Sequence, residues 1–430
     1  MDLKRHSCPQ RIAIFGAGLS GRAALRLVQA LGSEGRLFDQ NAAAAHAASI
    51  FEAADVSAFD AFICSPGFAA SHPWRVLAET SGKPCFSELG FASQYWQGAL
   101  YAVTGTNGKT TICNLLTETV QASGRRAIAA GNIGYPLSDA VLSDVNQSSS
   151  YAVCEVSSFQ AELPRGLQLD ALLWSNFAED HLDRYDSMQA YFNAKAQLFS
   201  CLKPAAICLL GPEVECWLER YDAARPAQLQ IERSADCDLP LAGDSMFRIA
   251  PHCKNLALVA AFWTAMGGAP EALLQAANQG KLAPHRLRLE ATWEGVNFWN
   301  DSKATNFHAA LAALDALEGP IFWIGGGQSK GGDLAAFAGA IANRVEAAFL
   351  YGAVGEEFGI HLSKSLERVE VCGRLEYAIS SATGAARLAA PAQVLFSPGF
   401  ASFDQFSSYA ARGKCFISEV LSLMHLDSRD

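Results

Sequence analysis

No apolar run in the 430 residues reaches the ~18–20 needed to span a bilayer. The N-terminus, Met1 to Arg11, carries charge but lacks the apolar core of a secretory signal. We therefore expect a cytoplasmic chain with no membrane insertion. Basic residues are the scarcer charge, 33 Lys and Arg against 43 Asp and Glu, giving a net charge of −10. A nucleic acid or an anionic membrane surface is thereby excluded as a partner, and any phosphate must be met by a local site. The twelve cysteines include no CxxC pair and no paired His spacing. That argues against a disulfide framework or structural zinc and for reduced, buried thiols. Only 18% of residues are charged while 50% are hydrophobic, which rules out disorder. The length allows two to four domains, and three is the expectation.

The pattern is α/β throughout. Strands are expected at Arg11 to Phe15, Arg36 to Phe38 and Ala61 to Cys64, with a helix from Ser20 to Ala30. A second series, Leu100 to Val103, Tyr151 to Glu155, Ala171 to Trp174 and Ala205 to Leu210, reads as one parallel sheet. The segment Arg220 to Met246 is polar and irregular, a helix follows over Asn255 to Met266, and Lys281 to His285 breaks the pattern. Beyond it, strands at Val296 to Trp299, Ile321 to Ile324, Ala347 to Tyr351, Val369 to Cys372 and Val394 to Phe396 are spaced for crossover helices. We place domains at 1–97, 98–285 and 286–430.

Ser65-Pro66-Gly67-Phe68-Ala69 recurs as Ser397-Pro398-Gly399-Phe400-Ala401. The repeat is either two strand-to-helix turns that solve the same backbone problem or two turns lining ligand sites at strand ends.

Thr104 to Thr111 (TGTNGKTT) lies between an expected strand and a helix from Thr111 to Gln121, as a P-loop requires. Gly105, Thr106, Asn107 and Gly108 can curl backbone N–H groups around phosphate oxygens, Lys109 adds a point charge, and Thr110 can ligate Mg²⁺. Position 103 is Val, so the glycine spacing is shorter than in common kinases and GTPases. Gly16-Ala17-Gly18-Leu19-Ser20-Gly21, with Asp39 after the next strand, fits NAD, a nucleotide-sugar diphosphate or a structural turn. The second nucleotide signal downstream disfavours hydride transfer.

Glu155, at a strand end, is a candidate Mg²⁺ ligand, with a surface glutamate as the alternative. His181, in the ligand-rich stretch Asn176 to Tyr185 that follows the strand Ala171 to Trp174, is a ligand or a satisfied loop histidine. Lys195 by itself reads as a solvated helix lysine. Asp301 suits a ribose hydroxyl or a helix cap, and Lys303 a phosphate. Gly325-Gly326-Gly327-Gln328-Ser329-Lys330 suits carboxylate capture.

The ordered set Gly105 to Thr111, Gly131-Asn132-Ile133-Gly134, Glu155 to Gln160, Glu179 to Tyr185, Pro284-His285-Arg286, Asn300 to Asn306 and Ala401 to Phe406 resembles the motifs of the Mur ligases over nearly the whole chain. The resemblance implies a Rossmann-like domain for UDP-sugar, a central P-loop ATPase-like domain, and a Rossmann-like domain for the incoming amino acid. It further implies ATP-dependent addition of glutamate to UDP-N-acetylmuramoyl-L-alanine in peptidoglycan synthesis, by a monomer. Lys109 would then cradle phosphates, Thr110 and Glu155 would hold one Mg²⁺, and His181 with a carbamylated Lys195 a second. Together with Gly105 to Thr111, Asn255, Arg286, Asp301 and Lys303 would meet the nucleotide. Leu19, Ser20, Gly67, Asn132, Ser157 and His181 would meet the UDP-sugar substrate, while Thr305, Lys330, Ser402 and Tyr409 would meet glutamate.

The chain departs from the family at Gln40-Asn41 after Asp39, at Lys254 before Asn255, at Gly399-Phe400 and at Tyr409. The last two departures fall in the amino-acid pocket. D-glutamate is the implied substrate, with L-glutamate, another amino acid on a sister ligase, or a non-catalytic nucleotide-binding regulator as alternatives.

Overall fold

The computed structural model describes residues 8–41, 49–227, 229–231, 239–243, 245–280 and 284–427, with side chains to residue 425. The expected break at Lys281 to Ala283 lies outside these, as does part of the irregular Arg220 to Met246 segment. Three sheets organise the chain. The first contains β1 (Arg11–Phe15), β2 (Glu34–Phe38), β3 (Ala61–Cys64) and β4 (Cys85–Ser87), all parallel, in the order β2-β1-β3-β4. The second contains β5 (Ala99–Thr104), β6 (Ala127–Gly131), β7 (Tyr151–Glu155), β8 (Leu169–Trp174), β9 (Leu202–Leu210) and β10 (Leu229–Ile231). It is also parallel, in the order β10-β9-β8-β5-β7-β6.

The third sheet contains β11 (Arg288–Trp293), β12 (Val296–Asn300), β13 (Ile321–Gly326), β14 (Ala347–Tyr351), β15 (Val369–Gly373) and β16 (Ala392–Gly399). Its order is β11-β12-β16-β13-β14-β15, and only the edge strand β11 runs antiparallel. Every strand expected from sequence is present. The strands that pattern reading missed are β4, β6, β10 and β11. Two are only three residues long, and β6 (AIAAG) is mostly alanine, which has little intrinsic preference for strand.

The chain forms two compact units. One is Met1–Phe177, Ser187–Ser245 and Cys253–Gly280; the other is Ala178–Asp186, Met246–His252 and Lys281–Asp430. In the second unit, alternate residues of β13 enter opposite cores. Phe322 and Ile324 pack with Phe349, Tyr351 and Phe396 on one face; Ile321 and Trp323 pack with Leu350, Phe358 and Leu395 on the other. A parallel sheet covered on both faces needs such unbroken apolar runs, which is why these strands were readable.

In each sheet the connections change direction beside one strand: β1, with β2 and β3 on either side; β5, between β7 and β8; and β13, between β14 and β16. A glycine-rich loop follows each of these three strands. Open α/β sheets bind ligands in the crevice left at such a switch point. Among the described residues eleven cysteines are free, and no helix is long and apolar enough to cross a membrane.

Glu88, at the start of the helix Glu88–Ser93, is 3% exposed and accepts the Ser138 N–H at 2.7 Å. Burial pushes its carboxyl up to about 7, against the opposing hydrogen bond. A carboxyl whose folded-state pKa is raised stabilises the fold fully below its unfolded value and loses that contribution as pH rises toward 7. Glu88→Gln keeps the acceptor and removes the charge. Thermal unfolding across pH 5–8 should show the variant gaining on the order of 2–3 kcal/mol over the parent at pH 8, and little at pH 5.

Candidate active site

The loop after β5 is short and tightly enclosed. Gly105 has φ +148° and Gly108 φ +83°, the left-handed side that other residues avoid. A Cβ on Gly105 would lie 2.1 Å from Ser175 Oγ, and one on Gly108 2.4 Å from Asn255 Oδ1. The end of the neighbouring strand β8 clamps the loop. Asn107 N–H donates to Asn176 Oδ1 (2.9 Å), and the Asn107 carbonyl accepts from Asn176 Nδ2 (3.1 Å) and Ser175 Oγ (2.7 Å). Pattern reading placed Asn176 at the head of a ligand-rich stretch but passed over Ser175, for which the available signal was a polar residue directly after an apolar strand.

Two ammonium groups meet on this loop. Lys109 Nζ donates to the carbonyls of Gly105 (2.9 Å) and Thr106 (2.8 Å), and Lys195 Nζ donates to the same Gly105 carbonyl at 3.0 Å. Lys195 is 1% exposed, on the helix Met188–Ala196, with its Nζ 5.0 Å from the centre of the Tyr191 ring. The solvated-lysine reading is therefore corrected: charge on a helix says nothing of which face the fold covers.

Glu155 is 4% exposed, so the surface alternative is also excluded. Its Oε2 accepts from Thr110 Oγ1 (2.6 Å) and its Oε1 from Asn132 Nδ2 (3.0 Å). A hydroxyl and a carboxylate beside a helix N-terminus form an all-oxygen pair, the donor chemistry that suits Mg²⁺. Asn132 is fixed further by its own N–H, which donates to the Glu155 carbonyl at 2.9 Å. Thr111 continues the helix Lys109–Ala122. Ser157 caps the helix Ser158–Ala161, its hydroxyl accepting from Gln160 N.

In the first sheet, Gly16 (φ +98°) and Gly21 have no space for a side chain: a Cβ on Gly21 would meet the Gly16 carbonyl at 1.8 Å. Gly18 and Gly67 face open space, and Leu19 and Ser20 begin the helix Leu19–Ala30, with Leu19 57% exposed. The Asp39 carboxylate accepts the N–H groups of Ala17 (2.7 Å) and Asn41 (2.9 Å). The Ala17 bond, then the Asn41 bond, hold this carboxyl below its ordinary range.

The second unit carries the other predicted residues. Asp301 is buried, its Oδ1 accepting Leu287 N–H (3.0 Å) and its Oδ2 the Ser397 hydroxyl (2.8 Å). Burial pushes this carboxyl up to about 7 despite both bonds. Asp301 thereby pins the turn in which His285 (φ 66°) and Leu287 (φ 43°) flank Arg286 in left-handed conformations. Lys303 Nζ lies 4.0 Å from the centre of the Tyr409 ring. His181 is also left-handed, at φ 58°.

Glu179, Asp180, Leu182, Thr305, Lys330 and Phe400 are among the residues lining an open cleft. Ser402, 2% exposed, and Tyr409 are not among its walls. Ser397 and Ser65 each stand on a strand or loop beside a glycine-loop strand, so both copies of the SPGFA repeat occur at a switch point.

Arg412, absent from the sequence reading, is fully buried beneath this region. Its guanidinium donates to the Ser302 carbonyl (2.8 Å), Ser302 Oγ (3.1 Å), the Phe400 carbonyl (3.0 Å) and Tyr351 OH (3.3 Å).

Residues 103–229 match the family model described as the Mur ligase middle domain. The chain is 33% identical to the UDP-N-acetylmuramoylalanine–D-glutamate ligase of Gloeobacter violaceus, covering 96% of this chain and 99% of that one. It is 32% identical to the enzyme of the same name from Mycolicibacterium smegmatis, covering 95% and 96%. Among solved structures, UDP-N-acetylmuramate–alanine ligase MurC from Thermotoga maritima shares the fold, with TM-score 0.59 and 13% identity over 96% of this chain and 100% of that one. Folylpolyglutamate synthase of Mycobacterium tuberculosis, complexed with ADP and AMPPCP, has TM-score 0.54 and 16% identity over 77% and 92%.

A methyl group at residue 108 tests the enclosed loop directly. Gly108→Ala should lower unfolding stability by roughly 1–2 kcal/mol through the left-handed backbone alone. It should also abolish the thermal upshift produced by Mg-ATP, measured by differential scanning fluorimetry.

Proposed function

The chain belongs to the Mur ligase family, and from that premise we propose that it joins glutamate to UDP-N-acetylmuramoyl-L-alanine in an ATP-dependent amide ligation of peptidoglycan synthesis. D-glutamate is the isomer that the full-length relatives' names carry. The observation that carries the reading is the convergence of Lys109, Thr110 and Glu155 on the clamped glycine loop, within a chain aligned end to end with those ligases.

The chemistry follows from the substrates. A carboxylate resists attack by an amine, so its oxygen first attacks the γ-phosphorus of ATP; the bond to the bridging oxygen breaks and ADP leaves. The deprotonated amine of glutamate then attacks the acyl-phosphate carbon, and the tetrahedral adduct expels phosphate as the amide forms. The loop Gly105 to Gly108 would take phosphate oxygens; the N–H groups of Thr106 and Asn107 are held by Asn176 and would turn from it, as Lys109 would from its loop carbonyls, to reach the phosphates. Mur ligases use ATP with Mg²⁺, which, when bound, neutralises charge developing on the transferred phosphoryl group. Thr110 and Glu155 would hold one ion, His181 and Lys195 a second.

Lys195 would do so as a carbamate, which converts the cation to an anion. Its burial against the Gly105 carbonyl supports a role other than a surface charge. Asn255, Arg286, Asp301 and Lys303 are assigned to the nucleotide, Leu19, Ser20, Gly67, Asn132 and Ser157 to the UDP-sugar, and Thr305, Lys330, Ser402 and Tyr409 to glutamate. The engaged carboxylate of Asp301 favours its pinning of the Arg286 turn over a free ribose contact. We read the three sheets as domains 1–97, 98–285 and 286–430 of a monomeric enzyme.

Purified protein should release ADP and phosphate only when UDP-N-acetylmuramoyl-L-alanine and glutamate are both present. Parallel assays with D- and L-glutamate should show turnover with the D isomer. ATP turnover with neither acceptor nor donor, or an amide product with L-glutamate alone, would overturn the respective assignment. Lys195→Ala should lose about a hundredfold or more in kcat, unrestored by bicarbonate but partly restored by short-chain carboxylic acids; full activity of the variant would remove the carbamate.

A further inference from the structure

Lys330, the cleft's proposed carboxylate receptor, already has a carboxylate partner. Its Nζ donates to Asp180 Oδ1 at 3.1 Å. The same oxygen accepts the His181 N–H at 2.9 Å, and Oδ2 accepts Asn306 Nδ2 at 3.1 Å. Asn306 is itself fixed, because its side-chain oxygen caps the helix Phe307–Asp315 through Ala309 N–H. Asp180 is thus held at the cleft wall from its own loop, from a helix N-terminus and from the loop after β13. Its side chain is 9% exposed, against 22% for Lys330, so the anion is the more deeply set member of the pair.

A buried carboxylate needs a cation beside it. A glutamate entering the cleft brings two carboxylates and one ammonium. When a substrate carboxylate takes Lys330, Asp180 keeps as a neighbouring cation only the His181 imidazole, whose Nε2 lies 3.8 Å from its Oδ2 and which is charged only when protonated. The one group on the substrate that can restore the balance is its ammonium.

We propose that Asp180 is the receptor for the α-ammonium of the incoming amino acid, and that binding exchanges the internal Lys330–Asp180 pair for two pairs across the ligand, Lys330 with carboxylate and Asp180 with ammonium. The inference rests on the reading of this cleft as the glutamate site. Its consequence is specificity. A dicarboxylic acid that lacks the amine can reach Lys330 only by stranding Asp180, so the internal pair keeps plain diacids out while admitting an amino acid of the same length. Polar sites reject an analogue lacking the bonded group far more strongly than apolar pockets reject a missing methylene.

The test compares glutamate with glutarate, the same carbon chain without the nitrogen, by calorimetry on the whole protein with UDP-N-acetylmuramoyl-L-alanine and a non-hydrolysable ATP analogue present. The parent should prefer glutamate by about a hundredfold or more. In Asp180→Asn the preference should fall at least tenfold, with glutamate weakened and glutarate tightened because Lys330 is released. Affinity for the ATP analogue should stay within about twofold, since the charge removed faces the amino acid. A preference that falls by less than tenfold overturns the proposal, because a merely structural role would weaken both acids alike.

If Asp180→Asn does not fold, the parent decides by itself: equal binding of the two acids overturns the assignment. Lys330→Ala separates the underlying reading. It should weaken both acids, and unchanged affinity for both would remove glutamate from this cleft whatever Asp180 does.

Discussion

The Gly105 carbonyl accepts hydrogen bonds from two ammonium groups, one from the first residue of the helix that follows the loop and one from a buried lysine ninety positions away. Loops at the C-terminal ends of parallel strands carry carbonyls that no sheet partner satisfies, and these collect around buried cations. The second unit repeats the device: the Arg412 guanidinium takes the carbonyls of Ser302 and Phe400 and so ties two strand-end loops to each other. In a chain of net charge −10, its few deeply buried cations set the shape of the loops that must meet anions.

This arrangement explains why the glycines occur where they do. Gly105 and Gly108 are required because the loop turns through left-handed conformations while pressed against Ser175 and Asn255. The same packing spends loop N–H groups on the neighbouring strand end, Thr106 N–H on the Asn176 carbonyl at 3.1 Å and Asn107 N–H on Asn176 Oδ1 at 2.9 Å. The Asn107–Asn176 pair and the Thr110–Glu155 bond then hold the two ends of the loop. The loop is therefore fixed by its own neighbours before any ligand arrives.

Carboxylates divide by what they touch. Asp39 and Asp301 are consumed by backbone amides and a hydroxyl, and serve as pins for loops. Glu155 and Asp180 are also fixed by amides, Asn132 on the first and Asn306 with the His181 N–H on the second, but each keeps beside them one partner that a metal ion or substrate can replace, the Thr110 hydroxyl and the Lys330 ammonium. Although burial pushes the Asp180 carboxyl up, the Lys330 ammonium and the adjacent His181 bring it below the ordinary carboxylate range, so it stands ready as an anion.

The strand pattern, the three glycine loops and the strand-end positions of Glu155 and Asn300 to Asn306 were legible in the sequence because each depends on neighbours within a few residues. Apolar runs declare a sheet covered on both faces, and a glycine after such a run declares a turn that a side chain would block. Burial of Lys195, the engagement of Asp301 by Ser397, the cationic knot at Arg412 and the Lys330–Asp180 pair were not legible. Each joins residues tens to more than a hundred positions apart, and their charge or polarity in isolation reads as solvent exposure. Packing decides which polar groups lose water, and only then does pairing become obligatory; that step belongs to the tertiary structure alone.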